Sequence, residues 1–139
     1  MASSGECARI SRAAREQALP YLPNLHSAEE DLDFFANRVF STDTVFVALE
    51  DRWRIVGFIA FGDGWIDHLY VLPSHQGFGI GGMLLETAKH ASHTLRLWTF
   101  ERNRRARHFY EKRGFSVIDR TDGSGNEEHE PDLLLRWER

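Results

Sequence analysis

Two hydrophobic periods alternate along this 139-residue chain, and the places where one yields to the other mark its elements. Ala8 to Ser11 reads as a short strand. From Ala13 to Leu25 the apolar positions Ala14, Ala18, Leu22 and Leu25 form a helical stripe interrupted by Pro20 and Pro23. Ser27-Ala28-Glu29-Glu30 is a capping box, in which a hydroxyl and a carboxylate three residues apart satisfy two backbone N–H groups reciprocally. It predicts a helix to about Phe40 that buries Leu32, Phe35 and Val39. β-rich runs then take over. Thr44–Leu49 and Ile55–Phe61 flank Glu50-Asp51-Arg52 as a hairpin, and Gly62-Asp63-Gly64 turns the chain into a third strand, Trp65–Leu72.

A helical period returns at Ile80, Met83, Leu84 and Ala88, predicting a buried face on a helix to about His93. Leu95–Phe100 is a strand, and Asn103 caps the next helix, which stops at Gly114. Phe115–Ile118 and Leu133–Trp137 are the last strands. The polar stretch Thr121–Asp132 between them is too long for a tight turn, hence a candidate functional loop. The order β-α-α-β-β-β-α-β-α-β-β predicts an α/β (α+β) fold, meander strands with one βαβ crossover.

Composition narrows the partners more than the fold. The length suits a single domain over residues 1–139. Seventeen basic against 21 acidic residues give a net charge of −4, which argues against nonspecific nucleic-acid binding. One cysteine, Cys7, leaves no internal disulfide and fits a reducing compartment. No apolar run approaches the roughly 18 residues of a membrane span. Met1-Ala2-Ser3-Ser4-Gly5-Glu6 lacks the basic flank and hydrophobic stretch of a signal peptide. The expectation is a cytoplasmic domain with neither nucleic acid nor membrane as partner.

The candidate chemistry begins at Gln76-Gly77-Phe78-Gly79-Ile80-Gly81-Gly82, between an apolar strand and an apolar helix. Glycines there permit left-handed backbone angles and close approach of a ligand to main-chain N–H groups at a helix start, an anion cradle. The stretch formally satisfies G-x-G-x-x-G, and Glu101 lies about 20 residues on, where a dinucleotide fold keeps its ribose-binding acid. Two features oppose that reading. Pro73-Ser74-His75-Gln76 separates the loop from its strand, and an antiparallel meander precedes it. A Walker-type loop fails because no Gly-Lys-Ser/Thr follows.

Gln76-x-x-Gly79-x-Gly81, after a strand ending Leu69-Tyr70-Val71, resembles the acetyl-CoA loop of the GCN5-related N-acetyltransferases (GNAT). The segment Asn103, Ala106, Phe109, Tyr110, Gly114-Phe115 resembles that family's second signature. The resemblance covers essentially the whole chain. It implies a mixed, mostly antiparallel twisted sheet of about six to seven strands flanked by four helices. It also implies acetyl-CoA as co-substrate, transfer of the acetyl group to a primary amine, and a homodimer among the expected assemblies.

By this resemblance Gln76 to Gly82 bind the pyrophosphate, and Leu69, Tyr70 and Val71 pair with the pantetheine arm, the Val71 N–H facing the thioester oxygen. Asn103 both caps its helix and bonds the arm. Tyr110 matches the general acid that protonates the departing thiolate. For the base, Asp67 ranks ahead of His68 and Glu101. Period-2 alternation puts Asp67 with Trp65, Leu69 and Val71, and puts His68 with Tyr70 on the opposite face. The acidic stretch holding Glu127 and Glu128 suits a cationic acceptor: a small-molecule amine, a polyamine, an amino acid or a peptide N-terminus. Trp53, Trp65 and the segment around Pro20–His26 are candidate walls of its pocket. The basic run Arg102, Arg104, Arg105, Arg107, Lys112 and Arg113 reads as a solvated face with one or two phosphate contacts. The seven histidines include no pair at metal-ligand spacing, so no metal is expected. The alternatives are a noncatalytic acyl-CoA-binding sensor and a nicotinamide-dinucleotide oxidoreductase.

Overall fold

The computed structural model describes residues 2–22 and 24–139. Its first element is α1 (Ala2–Ala18). The expected strand Ala8–Ser11 is the middle of this helix. Ser4, Cys7, Ser11 and Ala14 are all buried, and spacings of three and four residues present one face only in a helix. Their small size lets α1 lie close on the sheet. The stripe expected over Ala13–Leu25 stops at Ala18, ahead of Pro20; Leu25 is exposed, and Pro23 lies outside the described residues.

The capping box forms as the sequence implies. Ser27 Oγ accepts from the Glu30 N–H (3.1 Å), and Glu30 Oε1 accepts from the Ser27 N–H (2.8 Å). Helix α2 (Ala28–Phe34) then widens into a π-helical turn (Phe35–Val39) before a last α turn (Phe40–Thr42). Phe35 and Val39 are buried, but Leu32 is 46% exposed, contrary to expectation. A π turn holds more residues than an α turn, so the stripe read at constant pitch drifts off the sheet upstream of it.

Six strands form one sheet: β1 (Thr44–Glu50), β2 (Arg54–Gly62), β3 (Trp65–Val71), β4 (Thr94–Phe100), β5 (Ser116–Thr121) and β6 (Asp132–Glu138). Their order is β1-β2-β3-β4-β6-β5, antiparallel throughout except for β3 against β4. Helix α3 (Ile80–His90) makes the crossover between those two, and α4 (Arg104–Glu111) follows β4. Alternation along β2 sorts the core: Phe58 and Ala60 pack under α1 and the π turn, Ile59 and Phe61 on the α3 side with Leu95 and Leu135. On α3 the buried positions are Leu84, Leu85 and Ala88, whereas Met83 is 65% exposed, so the true stripe is rotated by one position.

Two irregularities of the sheet shape its open end. The parallel ladder between β3 and β4 holds a single pair, Trp65↔Arg96, after which the strands diverge. The β2–β3 register shifts between Ala60↔His68 and Phe61↔Ile66, leaving Asp67 as the extra residue of a bulge.

Candidate functional site

The divergence of β3 from β4 opens a cavity of about 800 Å³. Its walls come from β3, β4, the glycine loop, α4, the end of α1 and the β5–β6 loop. The backbone of β3 is directed into it. The Leu72 N–H donates to the Val56 carbonyl (2.8 Å), so in this antiparallel ladder Leu72, Tyr70 and His68 use their main-chain groups on β2. The intervening residues Leu69 and Val71 turn theirs toward the edge that β4 has left. An extended chain laid along that edge would find the Leu69 and Val71 N–H groups and the Leu69 carbonyl available, as an added strand does.

Two kinds of glycine make up the loop. Gly77 (φ 87°) and Gly79 (φ 83°) are left-handed, and a Cβ on either meets nothing within 4 Å. They serve backbone conformation and leave open space at the start of α3. A Cβ on Gly81 would meet the Phe109 ring at 3.3 Å, and one on Gly82 would meet the Arg113 guanidinium at 3.3 Å. Those two glycines let α3 pack closely against Phe109 of α4 and Arg113 just beyond it. Gly79 caps α3 without a side-chain bond, so the first-turn N–H groups and the positive end of the helix dipole face the cavity. Gln76 acts locally, its amide donating to the Val71 carbonyl (3.0 Å) and so fastening the loop to the end of β3. Phe78 is exposed and outside the cavity lining.

Asn103 caps α4, its Oδ1 accepting from the Ala106 N–H at 3.2 Å, and its side-chain amide lines the cavity unbonded among the described residues. One face of α4 carries Ala106, Phe109 and Tyr110 inward. Tyr110 lies edge-on to Phe109 and Phe115, 8% exposed, with its hydroxyl unbonded among the described residues. Burial pushes its phenol above the ordinary value, so it is a neutral proton donor at physiological pH.

Asp67, on the bulge, also lines the cavity. Desolvation and the neighbouring Asp43 carboxyl, which shares a hydrogen bond with it, push Asp67 up to about 7. Asp67 therefore changes protonation state near neutrality, which suits it to accept a proton from a substrate. The bulge breaks the simple alternation: Ile66 and Leu69 both face the α3 core, while His68 turns toward α2. His68 sits against Phe34, Phe35 and Tyr70, and burial lowers its pKa to about 4, so the ring is neutral. Glu101 is bound to Arg120 (2.6 and 3.1 Å) and lies outside the cavity lining.

The acceptor end differs from expectation in its walls. Trp53 is 86% exposed in the β1–β2 turn and Trp65 sits at the paired end of β3; neither lines the cavity. Pro20, Leu22 and Asn24 do, together with Arg15 and Leu19 of the α1 end. Glu128 lines it as well, whereas Glu127 points to His26 (2.8 Å) and closes the β5–β6 loop onto the α1–α2 loop. The basic run is mostly engaged within the chain. Arg102 lies over the Tyr21 ring (3.6 Å) and bonds Glu130 (3.0 Å); Arg107 and Arg113 donate to the carbonyls of Glu101 and Phe109. Arg105 remains exposed at the cavity mouth, where an anion would meet it. Sequence reasoning missed Arg15 and Asp43. Arg15 lies within the predicted Ala13–Leu25 stripe, where its place in a cavity is not readable from spacing, and Asp43 meets Asp67 only through the fold.

A family model described as an acetyltransferase (GNAT) domain matches residues 41–117. Peptidyl-lysine N-acetyltransferase YjaB of Salmonella typhimurium is 32% identical over 113 residues, 81% of this chain and 77% of that protein. The "Probable N-acetyltransferase Rv2775" of Mycobacterium tuberculosis is 48% identical over 58 residues, 40% of this chain, which spans only 33% of that relative's length. Among solved structures, apo YjaB from Escherichia coli superposes with a TM-score of 0.76 at 27% identity, covering 98% of this chain and 91% of that one. The PaiA N-acetyltransferase of Thermoplasma acidophilum, solved with coenzyme A, shares the fold at 22% identity and a TM-score of 0.75, covering 99% and 94%.

Proposed function

Because the chain belongs to the GNAT acetyltransferase family, we propose that it is an acetyl-CoA-dependent N-acetyltransferase acting on a primary amine by direct transfer. The observation that carries this reading is the parting of β3 from β4, which leaves the Val71 and Leu69 N–H groups open beside a glycine-lined helix start. The residues fit the co-substrate: Gly77 and Gly79 leave room that a Cβ would fill, and the first turn of α3 offers N–H groups and dipole to a pyrophosphate. Acetyl-CoA supplies a thioester whose C–S bond breaks as the acceptor nitrogen forms the new C–N bond.

Each remaining requirement falls to a group of this chain. Leu69 and Val71 hold the pantetheine arm as an edge strand, with the Val71 N–H donating to the oxygen that becomes negative. Asp67, with Asp43 behind it, takes the proton that the acceptor nitrogen loses. Tyr110 gives its proton to the sulfur and regains one from solvent. Asn103 donates its free amide to the arm while capping α4. Glu128 attracts a cationic acceptor. Thiol release from acetyl-CoA across small amines, polyamines, amino acids and peptides, with mass analysis of the product, tests the reading. Acetylated amine is the expected result; acetyl-CoA binding without product for any acceptor identifies a sensor instead.

A further inference from the structure

Nearly every charge around the acceptor end of the cavity is answered within the chain. Arg12 pairs with Asp31 (2.8 Å) and Glu16 (3.5 Å), Glu127 with His26, Glu130 with Arg102, and Asp132 with Thr121. Two are not. Arg15, on the last turn of α1, and Glu128, on the β5–β6 loop, are both half-buried and both line the cavity. Among the described residues neither has an ion-pair or side-chain hydrogen-bond partner, and they do not pair with each other. Tyr70 lines the cavity with them, so the two charges share one cavity without forming an ion pair. Leu19 and Leu22 supply apolar wall in the same cavity.

Two unpaired charges of opposite sign lining one cavity are complemented together by a ligand that bears both opposite charges. We propose that Arg15 holds a carboxylate of the acceptor and Glu128 an ammonium, so that the acceptor is a free diamino monocarboxylic acid whose other amine is acetylated. The inference rests on the acetyltransferase reading and goes beyond it by choosing among amines. A polyamine leaves Arg15 unanswered, and so does a lysine inside a peptide, which has no free carboxylate. The methylene stem of a diamino acid lies against Leu19 and Leu22.

Deleting each charge in turn tests the assignment. The acceptors are lysine, lysine amide, cadaverine, ε-aminocaproate and a blocked lysine peptide, assayed by thiol release. Lysine is expected to exceed the amide and cadaverine by at least about tenfold in kcat/KM, the equivalent of one lost charged contact, through KM rather than kcat. Arg15→Gln should bring the ratio of lysine to its amide to about one, and Arg15→Lys should restore part of it. Glu128→Gln should do the same for the ratio of lysine to ε-aminocaproate. A rise in Tm with acetyl-CoA checks that each variant folds. Cadaverine, the amide or the peptide matching lysine overturns the inference while leaving the acetyltransferase reading standing, as does Arg15→Gln lowering all acceptors equally. No acetyl transfer to any amine by a protein that binds acetyl-CoA overturns both.

Discussion

Tyr110 keeps its ring packed between Phe109 and Phe115 whether or not it carries a hydroxyl, which separates its chemistry from its packing. Tyr110→Phe is expected to lower kcat by about 100-fold or more, the usual worth of a positioned acid, with the KM for acetyl-CoA nearly unchanged. Equal kcat in steady-state thiol release would remove Tyr110 from the mechanism. Asp67 makes a prediction in pH. Raised to about 7, it becomes a competent base as pH rises through neutrality, so kcat/KM should climb there, and Asp67→Asn should abolish that limb. The same shift sets a sign for stability. A carboxyl raised from 3.8 to about 7 on folding stabilises below the lower value and loses that contribution as pH rises through the upper. Asp67→Asn should therefore gain in Tm relative to the parent between those pH values, and a pH-independent difference would contradict the assignment. The sequence makes Asp67 visible as a carboxylate on the right strand. Its bulge and its partner Asp43 are invisible there, because both arise from pairing between distant segments.

Short-range signals translate well into elements. The Ser27 box, the Asn103 cap and the left-handed glycines all appear where the chain spells them, since each depends on neighbours a few residues away. Elements defined by a distant surface translate less well. Helix α1 buries Ser4, Cys7 and Ser11, residues too small and polar to advertise a stripe, and the π turn throws Leu32 out of register. Two substitutions probe the cavity elements. Asn103→Ala should cost about 1 kcal/mol in urea denaturation by loss of the cap, and a separate loss of acetyl-CoA affinity would report its free amide. Gly79→Ala should cost about 1–2 kcal/mol, because alanine resists a φ of 83° even where its methyl meets nothing. If Gly79→Ala proves as stable as the parent, the left-handed cap is not required.

Taken whole, the molecule is a sheet split along one seam, and the site follows from the split. β3 and β4 are parallel, so joining them requires a crossover, and α3 supplies both that link and the N-terminus that faces the cavity. The crossover, the meander and the two motifs are legible in sequence. The single-pair ladder and the charges of the acceptor lobe are not, because they are set by how strands diverge rather than by what they contain. If the split makes the site, main-chain N–H groups of β3 and of the first turn of α3 hold acetyl-CoA. Residue-resolved amide hydrogen exchange, with and without saturating acetyl-CoA, reads those groups one by one. Slower exchange is expected at Leu69, Val71, Ile80, Gly81 and Gly82 when acetyl-CoA is present. Unchanged exchange at those amides, or their protection by NADH and not by acetyl-CoA, would contradict it.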